Sequence, residues 1–265
     1  MLIAIEFKCF LKEEEDVFKV LANDGSVWVI KAKKHQDRNS KQLFNEYFAG
    51  LLAHDFGLFK PRVEIIDIVQ VKEKLNDNFD KSANEAIAIQ YINDLEVYTI
   101  ESYNENKECI QEFFGDNYDF SVFYAYKFFS AWIFLKECAE LYKTKDNTPI
   151  FLDFCEAFGG RKWEGEKHWI NGVPDDYCLE QVPFASFCDG IIEDLGLFDP
   201  WIKRLEKLDK IKYRNLLDDI PNSWLPLTDY VKIKNAWLDF LFDDMNNCKD
   251  VFRSHIEDEM KNYLE

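Results

Sequence analysis

The chain has 265 residues, of which 47% are hydrophobic and 16% aromatic, so it carries ample apolar material for a sizeable core. Its 50 acidic residues outnumber 32 basic ones and give a formal charge of −18 at pH 7. A surface of that sign repels the phosphates of nucleic acids and anionic lipid headgroups over most of its extent. Composition therefore predicts a globular protein and argues against nucleic acid or a membrane as a direct partner.

Three features of the sequence bear on its location. The first residues, MLIAIEFKCF, alternate like a strand and carry Glu6 and Lys8 where an export signal needs an uncharged apolar stretch. The longest apolar run, SVFYAYKFFSAWIFL, is interrupted by Lys127 and is too short to span a bilayer. The seven cysteines are odd in number and form no CxxC pair, which predicts reduced thiols. Together these features predict a cytoplasmic protein.

Up to about residue 100 the hydrophobic pattern is mostly that of strands. Strands are predicted at 3–10, 16–22, 26–33, 62–70 and 85–92. The segment Asn23-Asp24-Gly25 predicts a tight hairpin turn between the second and third strands. In the first strand, Ile3, Ile5, Phe7 and Cys9 are expected to share one face.

One helix interrupts these strands between residues 40 and 56. Its apolar residues recur at helical spacing, and they are Leu43, Phe44, Tyr47, Phe48, Leu51 and Leu52. Asn39 or Ser40 can cap the start of this helix, and Gly57 stands where a left-handed C-terminal residue is wanted.

Beyond residue 118 the pattern becomes predominantly helical. Helices are predicted at 119–142, 175–193, 200–216, 229–246 and 249–263, and the stretch PIFLDF predicts one short strand among them. The sequence therefore predicts an α+β fold with two lobes. A small antiparallel β-rich amino lobe, residues 1–100, precedes a larger α-helical carboxyl lobe, residues 101–265.

Lys31 and Glu46 form the first candidate site. Lys31 lies on the third predicted strand, on the face that Val27 and Val29 mark as buried, and Glu46 follows on the helix. Bilobal kinases hold the α and β phosphates of ATP with such a lysine, which a helical carboxylate orients. The alternative interpretation is that the amine of Lys31 lies in water near a sheet edge and that Glu46 is one more solvated charge.

The order of motifs resembles that of HipA-like kinases. In the amino lobe of that family a strand ending in V-K is followed by a loop, L-x-N-E on a helix, a G-L-P-like turn and another strand. The corresponding segments here are Ile30-Lys31, Leu43-Phe44-Asn45-Glu46, Gly57-Leu58 with Pro61, and Val63 to Ile68. IPNSWLPLTDYVKIKNAWLDFLFDD is similar to the family's I-P-x-x-W segment and closing helix, so the resemblance spans most of the chain.

The resemblance implies a single kinase domain that uses ATP and Mg²⁺ and transfers phosphate to a protein serine or threonine hydroxyl. It implies a protein substrate or partner, of the toxin–antitoxin kind. Lys31 and Glu46 would act at the phosphates, and the strand AIAIQYIND, with Gln90 and Ile92, would be the hinge at the adenine edge. PIFLDFCEAF is similar to the family's I-D-H-x-x-A-F, so Asp153 would hold Mg²⁺. A strand-terminal Asp153 that caps the next turn is the alternative.

The catalytic loop departs from the family's W-I-x-N-x-D-R. Leu135 takes the place of the asparagine, Glu137 that of the catalytic aspartate and Cys138 that of the arginine. Glu140 is a second candidate for the base, and Asn147 is a possible substitute for the second metal contact. The apolar period of AWIFLKECAELYK also predicts that this segment stays helical where active members form a loop.

Two other segments bear on the function. The turn KEEED between the first two strands lacks glycine and is acidic, whereas a turn over a triphosphate should offer N–H groups and avoid negative charge. The loop at residues 158–172 is rich in glycine and tryptophan and is either a partner-binding loop or a loop pinned by its own side chains. Two hypotheses follow: a HipA-like kinase that transfers phosphate weakly if at all, or an inactive pseudokinase that binds a partner protein.

Overall fold

The structure is a computed structural model that describes most of the first hundred residues and parts of the remainder. The described residues are 1–12, 17–34, 41–58, 61–97, 112–115, 121–133, 135, 140–158, 196, 199–224, 235 and 237–244. The strands β1 to β8 are Leu2–Lys12, Val17–Ala22, Val27–Lys31, Val63–Asp67, Glu85–Gln90, Glu96–Val97, Glu140–Lys143 and Pro149–Leu152. The helices α1 to α4 are Gln42–Phe56, Ser121–Trp132, Asp199–Leu205 and Lys210–Asp218. The mixture of strands and helices confirms the α+β class.

The first five strands close into a barrel in the order β1-β2-β3-β5-β4. The pairs β1–β2, β2–β3, β3–β5 and β4–β5 are antiparallel, as predicted. The prediction of a purely antiparallel sheet is wrong at the closure, where β1 runs parallel to β4 through the pairs Leu2–Ile66 and Ile3–Asp67. Because β1 has 11 residues, its first residues reach β4 while the remainder pairs with β2.

The expected alternation along β1 is wrong because the strand is irregular. Its register against β2 shifts three times, between Ala4 and Glu6, between Phe7 and Cys9, and between Phe10 and Lys12. Each irregularity changes which face the following side chain occupies. Ile5 is consequently 46% exposed, whereas Phe7 and Phe10 both pack against the barrel core.

Helix α1 begins later than predicted and ends as predicted. Lys41 is its N-cap residue and provides no side-chain cap, while Asn39 and Ser40 lie outside the described residues. At the other end Gly57 adopts the left-handed conformation, with φ of 94°. Its N–H donates to the carbonyls of Ala53 and His54. Arg204 of α3 covers this end by donating to the Phe56 carbonyl at 3.1 Å.

Replacing Gly57 with alanine should destabilise the protein more than replacing Gly25 with alanine. Both glycines have positive φ, so each substitution should cost about 1–2 kcal/mol for the left-handed backbone. A Cβ atom at Gly57 would also lie 1.8 Å from Arg204, whose displacement breaks a hydrogen bond, whereas Gly25 has open space around it. The additional cost should be about 1 kcal/mol. Urea denaturation of both variants measures the difference, and equal costs would contradict the role given to Arg204.

The predicted helix at 119–142 is wrong in its second half. Helix α2 ends at Trp132, and residues 140–143 form β7. The Trp132 indole donates to the Leu241 carbonyl, and the Ile133 carbonyl accepts from Phe158 N–H, so the chain leaves the helix at a fixed place. β7 pairs with β8 through a tight turn and with β6 on its other side. Pairing with β8 across the turn and with the distant strand β6 thus overrides the local helical period.

The region predicted as one helix at 200–216 contains α3 and α4. Asp209 separates them and caps α4 by accepting from the Ile211 N–H. The following 3₁₀ turn, Asn222–Trp224, belongs to the I-P-x-x-W segment and packs against α1, with the ring of Trp224 edge-on to Tyr47. In the predicted 229–246 helix, the described residues are helical and end in a π turn at Phe240–Asp244. The predicted helices 175–193 and 249–263 lie outside the described residues.

Two hydrophobic clusters make up the described core. One fills the barrel and includes Phe18, Trp28 and Ile30. The other joins α1 and the outer face of β4 and β5 to the helices, and aromatic rings dominate it. Phe56 alone contacts the rings of Phe128, Phe129, Trp132 and Trp201. No helix among the described residues is both long enough and apolar enough to cross a membrane.

Candidate functional site

Strand β3 places Lys31 outside the barrel and toward α1. Trp28 and Ile30 point into the barrel core, whereas Val27, Val29 and Lys31 alternate with them on the opposite, half-buried face. The sequence expectation that Val27 and Val29 mark the more buried face is therefore wrong. Because the barrel closes, the fully buried face is its interior, and the other face packs against α1 and the helical part.

Helix α1 supplies the counter-charge to Lys31. Glu46 is 1% exposed, and its Oε2 lies 3.4 Å from the Lys31 Nζ. The same oxygen accepts from the Phe154 N–H at 2.6 Å. A buried carboxylate needs such partners because an unpaired charge in a protein interior is costly. Glu46 is therefore a fixed buried charge, and the interpretation of it as a solvated helix residue is wrong.

Asp153 completes the group from the end of β8. Its Oδ1 lies 3.1 Å from the Lys31 Nζ, and its side chain remains 34% exposed. The backbone of Asp153 is left-handed, with φ of 66°, a conformation that aspartate tolerates better than most residues. The chain therefore turns sharply after β8 and presents the carboxylate to Lys31 with one side open to solvent.

Lys31 and Asp153 hold each other in their charged forms. Burial by itself would lower the pKa of Lys31, but the charges of Glu46 and Asp153 outweigh burial and raise that pKa above its ordinary value. Burial would raise the pKa of Asp153, yet the charge of Lys31 and the hydrogen bond from Cys155 bring that pKa below its ordinary value. At neutral pH the site therefore holds an ammonium group between two carboxylates.

Asn45, the residue before Glu46, contacts the same turn. Its Nδ2 donates to the carbonyl of Cys155 at 2.9 Å and to the carbonyl of Ala157 at 2.8 Å, and its side chain is fully buried. Sequence reasoning quoted Asn45 within the L-F-N-E segment but gave it no role. The sequence signal for this role was an asparagine among the apolar residues of an amphipathic helix, because a buried amide needs hydrogen-bond partners.

Glu140 lies beside Asp153 across the β7–β8 pair. It is paired with Leu152, the residue before Asp153. Tyr142, on the same strand, donates its hydroxyl to Glu140 Oε2 at 2.6 Å. Burial, followed by Glu140 and then Asp153, raises the pKa of Tyr142, so the phenol stays protonated. Sequence reasoning placed Tyr142 on a helix and therefore missed that it belongs to this site.

The predicted hinge residues lie further along the barrel. Gln90 ends β5 opposite Trp28, and Ile87, three residues earlier, is opposite Lys31. That separation corresponds to about 10 Å along the strand. The Gln90 N–H donates to the Arg62 carbonyl, so the backbone donor of Gln90 is already used, and Ile92 follows the strand with a half-buried side chain.

The remaining predicted residues are placed less favourably or lie outside the described residues. Asn147 lies in the β7–β8 turn with φ of 62°, and the four residues of β8, about 13 Å of strand, separate it from Asp153. The structure therefore does not bring Asn147 to Asp153. Leu135 is buried, and its N–H donates to the Ser130 carbonyl. Glu137 and Cys138, together with residues 13–16 and 159–172, lie outside the described residues.

The donor atoms at the site suit Mg²⁺ only in a limited way. Asp153 offers hard carboxylate oxygens, which are the ligand type that Mg²⁺ prefers. Among the described residues, no group of three or more His, Cys, Asp or Glu is arranged to hold a metal ion. Mg²⁺ commonly binds through one or two carboxylates together with substrate phosphates. Asp153 therefore fits an ion that is shared with a nucleotide.

Comparison with solved structures shows that the chain has a kinase-like fold. It is similar to the crystal structure of a proinflammatory kinase, CtkA, from Helicobacter pylori, with a TM-score of 0.56. The similarity covers 98% of this chain and 97% of that chain at 11% sequence identity, so it shows the fold alone. No protein-family model and no curated protein sequence matches the chain.

Proposed function

We propose that the chain is a HipA-like kinase-fold protein that binds ATP with Mg²⁺. In this proposal residues 1–100 are the amino lobe, residues 101–265 are the carboxyl lobe, and the nucleotide lies between them. The observation that carries the proposal is the convergence of Lys31, Glu46 and Asp153, which belong to three separate elements. A kinase-like fold over nearly the whole chain supports the same assignment.

Each residue has a stated role in this proposal. Lys31 binds the α and β phosphates, and Glu46 holds the lysine stem in place. Asp153 would hold Mg²⁺, which would supply charge neutralisation at the phosphates. The strand end at Gln90 and Ile92 is the base-binding hinge, and the distance of about 10 Å from Lys31 along the barrel leaves room for the nucleoside.

Phosphate transfer is proposed to be weak or absent. Leu135 is an apolar, buried residue and cannot contribute a ligand or orient a base. Glu137 is the base if transfer occurs, with Glu140 as the alternative, and either would act from a side chain one methylene longer than aspartate. Misplacement of one catalytic group can lower a rate on the order of 100-fold. The acceptor of any residual transfer is proposed to be a serine or threonine hydroxyl of a protein.

The second candidate function is an inactive pseudokinase that binds a partner protein in the cytoplasm. One observation favours it over the active kinase: Leu135 is buried where an active kinase needs a polar side chain. An acidic surface further favours a basic protein surface as partner rather than nucleic acid or lipid.

Calorimetric titration with ATP and Mg²⁺, paired with mass measurement on the same sample, tests the proposal. We expect saturable binding at one site and no mass increase of a phosphate group after prolonged incubation. Binding should weaken when Mg²⁺ is removed with a chelator, because Asp153 and the phosphates would then repel each other.

Stoichiometric autophosphorylation, or rapid labelling of a partner protein, would establish an active kinase. It would refute the proposal that phosphate transfer is weak or absent. An absence of heat with ATP, ADP and GTP alike would refute nucleotide binding and leave the partner-binding function. If ATP bound with the same affinity in the presence and in the absence of Mg²⁺, the role given to Asp153 would be wrong.

A further inference from the structure

Asn45 and Glu46 together hold the backbone of the turn that follows Asp153. Glu46 accepts from the N–H of Phe154, and Asn45 donates to the carbonyls of Cys155 and Ala157. These three hydrogen bonds link two consecutive residues of α1 to Phe154, Cys155 and Ala157 of one short turn. Inside the turn, the Cys155 N–H donates to Asp153 Oδ1 and the Ala157 N–H donates to the Phe154 carbonyl. Hydrogen bonds to α1 and hydrogen bonds within the turn therefore hold this backbone together.

The orientation of the Asn45 amide follows from its partners. Both contacts are carbonyl oxygens, so the group facing them has to be the NH₂ end of the amide. An aspartate or a leucine at this position would offer neither donor. The two carbonyls would then be buried without partners, which is unfavourable in a protein interior.

The end of the turn is also attached to α1. Phe158, with φ of 57°, packs its ring against Phe44 and Phe48 of α1 at centroid distances of 6.1 and 5.5 Å, and against Trp237 at 4.8 Å. Its N–H donates to the Ile133 carbonyl at the end of α2. Helix α1 thus contacts the segment from Asp153 to Phe158 at both its start and its end, and Ile133 and Trp237 also hold the end.

We propose that Asn45 is a positioning residue that fixes Asp153 for Mg²⁺ by holding the following turn against α1. This proposal rests on the proposed nucleotide function, because the metal is shared with ATP. In this scheme the Asn45 amide binds the turn, whereas Lys31 binds the phosphates. Its loss should therefore affect the contribution of Mg²⁺ to ATP binding and leave the part due to Lys31 largely intact.

The first experiment measures the turn without any nucleotide. The buried Cys155 thiol should react slowly with iodoacetamide, and exposed Cys9 in the same protein serves as an internal reference. In Asn45→Leu, loss of two hydrogen bonds should speed alkylation of Cys155 by about ten-fold or more, since local opening becomes easier. Peptide mass spectrometry assigns the label to each cysteine, and the rate at Cys9 should not change.

The second experiment measures ATP affinity with Mg²⁺ and with a chelator in place of Mg²⁺. In Asn45→Leu the gain in affinity from Mg²⁺ should fall by about ten-fold, the effect usual for residues that orient a metal ligand. The ATP affinity of the variant in the chelator should stay within about two-fold of the affinity of the unmodified protein under the same condition. The control is Leu217→Ala, which opens a cavity in the core at α4 and should lower stability without changing the ratio.

The outcomes separate this inference from the proposed function. If the unmodified protein does not bind ATP, the nucleotide function fails, and the alkylation rate of Cys155 alone decides whether Asn45 holds the turn. If Asn45→Leu does not fold, Asn45→Ala serves instead, because it leaves room for water at the two carbonyls. Unchanged alkylation of Cys155 in a folded variant, or a Mg²⁺ ratio that also falls in Leu217→Ala, overturns the inference.

Discussion

Replacement of Lys31 with methionine should weaken ATP binding by about 100-fold, because the site loses a charged donor to the phosphates. Methionine has nearly the shape of the lysine stem, so packing against the half-buried face of β3 should be retained. Glu46 and Asp153 also lose their shared ammonium group in this variant. The two remaining carboxylates then repel an incoming triphosphate. Calorimetric titration of both proteins with Mg²⁺ and ATP measures the loss.

Lys145→Met is the matched control for this prediction. Lys145 is 79% exposed and pairs with the exposed Asp94, so the same change of charge occurs away from the site. We expect an effect on ATP affinity of no more than about two-fold there, as for other exposed ion pairs. Equal losses of ATP affinity in the two variants would show that this affinity depends on the net charge of the protein rather than on a site at Lys31.

Local patterns were sufficient for the elements that depend on local chemistry. The turn at Asp24-Gly25 and the left-handed end of α1 at Gly57 follow from residues that tolerate positive φ, and both predictions are confirmed. The second half of the predicted helix at 119–142 failed for the opposite reason. Its apolar period is helical, but residues 140–143 pair with β8 across a turn and with the distant strand β6, and no local pattern encodes the pairing with β6.

The barrel shows the same limit. Alternation along β3 indicates two faces but not which of them is interior, and this depends on the closure between β1 and β4. The bulges of β1 likewise depend on its pairing with β2, so Ile5 and Cys9 could not be placed from the sequence. Topology supplied the information that the periodicity lacked.

The candidate site was predictable where charge needs a partner. Lys31 and Glu46 were recognised from a charged residue on a strand and another on a helix, and Asp153 from the family resemblance of PIFLDFCEAF. The structure places both carboxylates within 3.4 Å of the Lys31 Nζ. Asn45 and Tyr142 were missed because neutral hydrogen-bonding groups leave a weaker pattern in a sequence. Their roles depend on backbone carbonyls and on a strand register that only the folded chain defines.

The remaining prediction concerns the stability of the Lys31–Glu46 pair. Glu46→Leu should lower the free energy of unfolding by about 3–5 kcal/mol, the usual cost of removing one partner of a buried ion pair. The variant leaves the Phe154 N–H without its acceptor and leaves Lys31 with Asp153 alone. Urea denaturation at pH 7 measures the change.

The double variant Lys31→Met and Glu46→Leu separates the pair from its surroundings. With both charges gone the site holds two apolar side chains, so the double variant should be less destabilised than the sum of the single variants by about 1–3 kcal/mol. The double variant should still be less stable than the unmodified protein, because the Phe154 N–H keeps no partner in it. Additive losses would mean that Lys31 and Glu46 do not interact in solution, and the assignment of Glu46 as the residue that holds Lys31 would then be wrong.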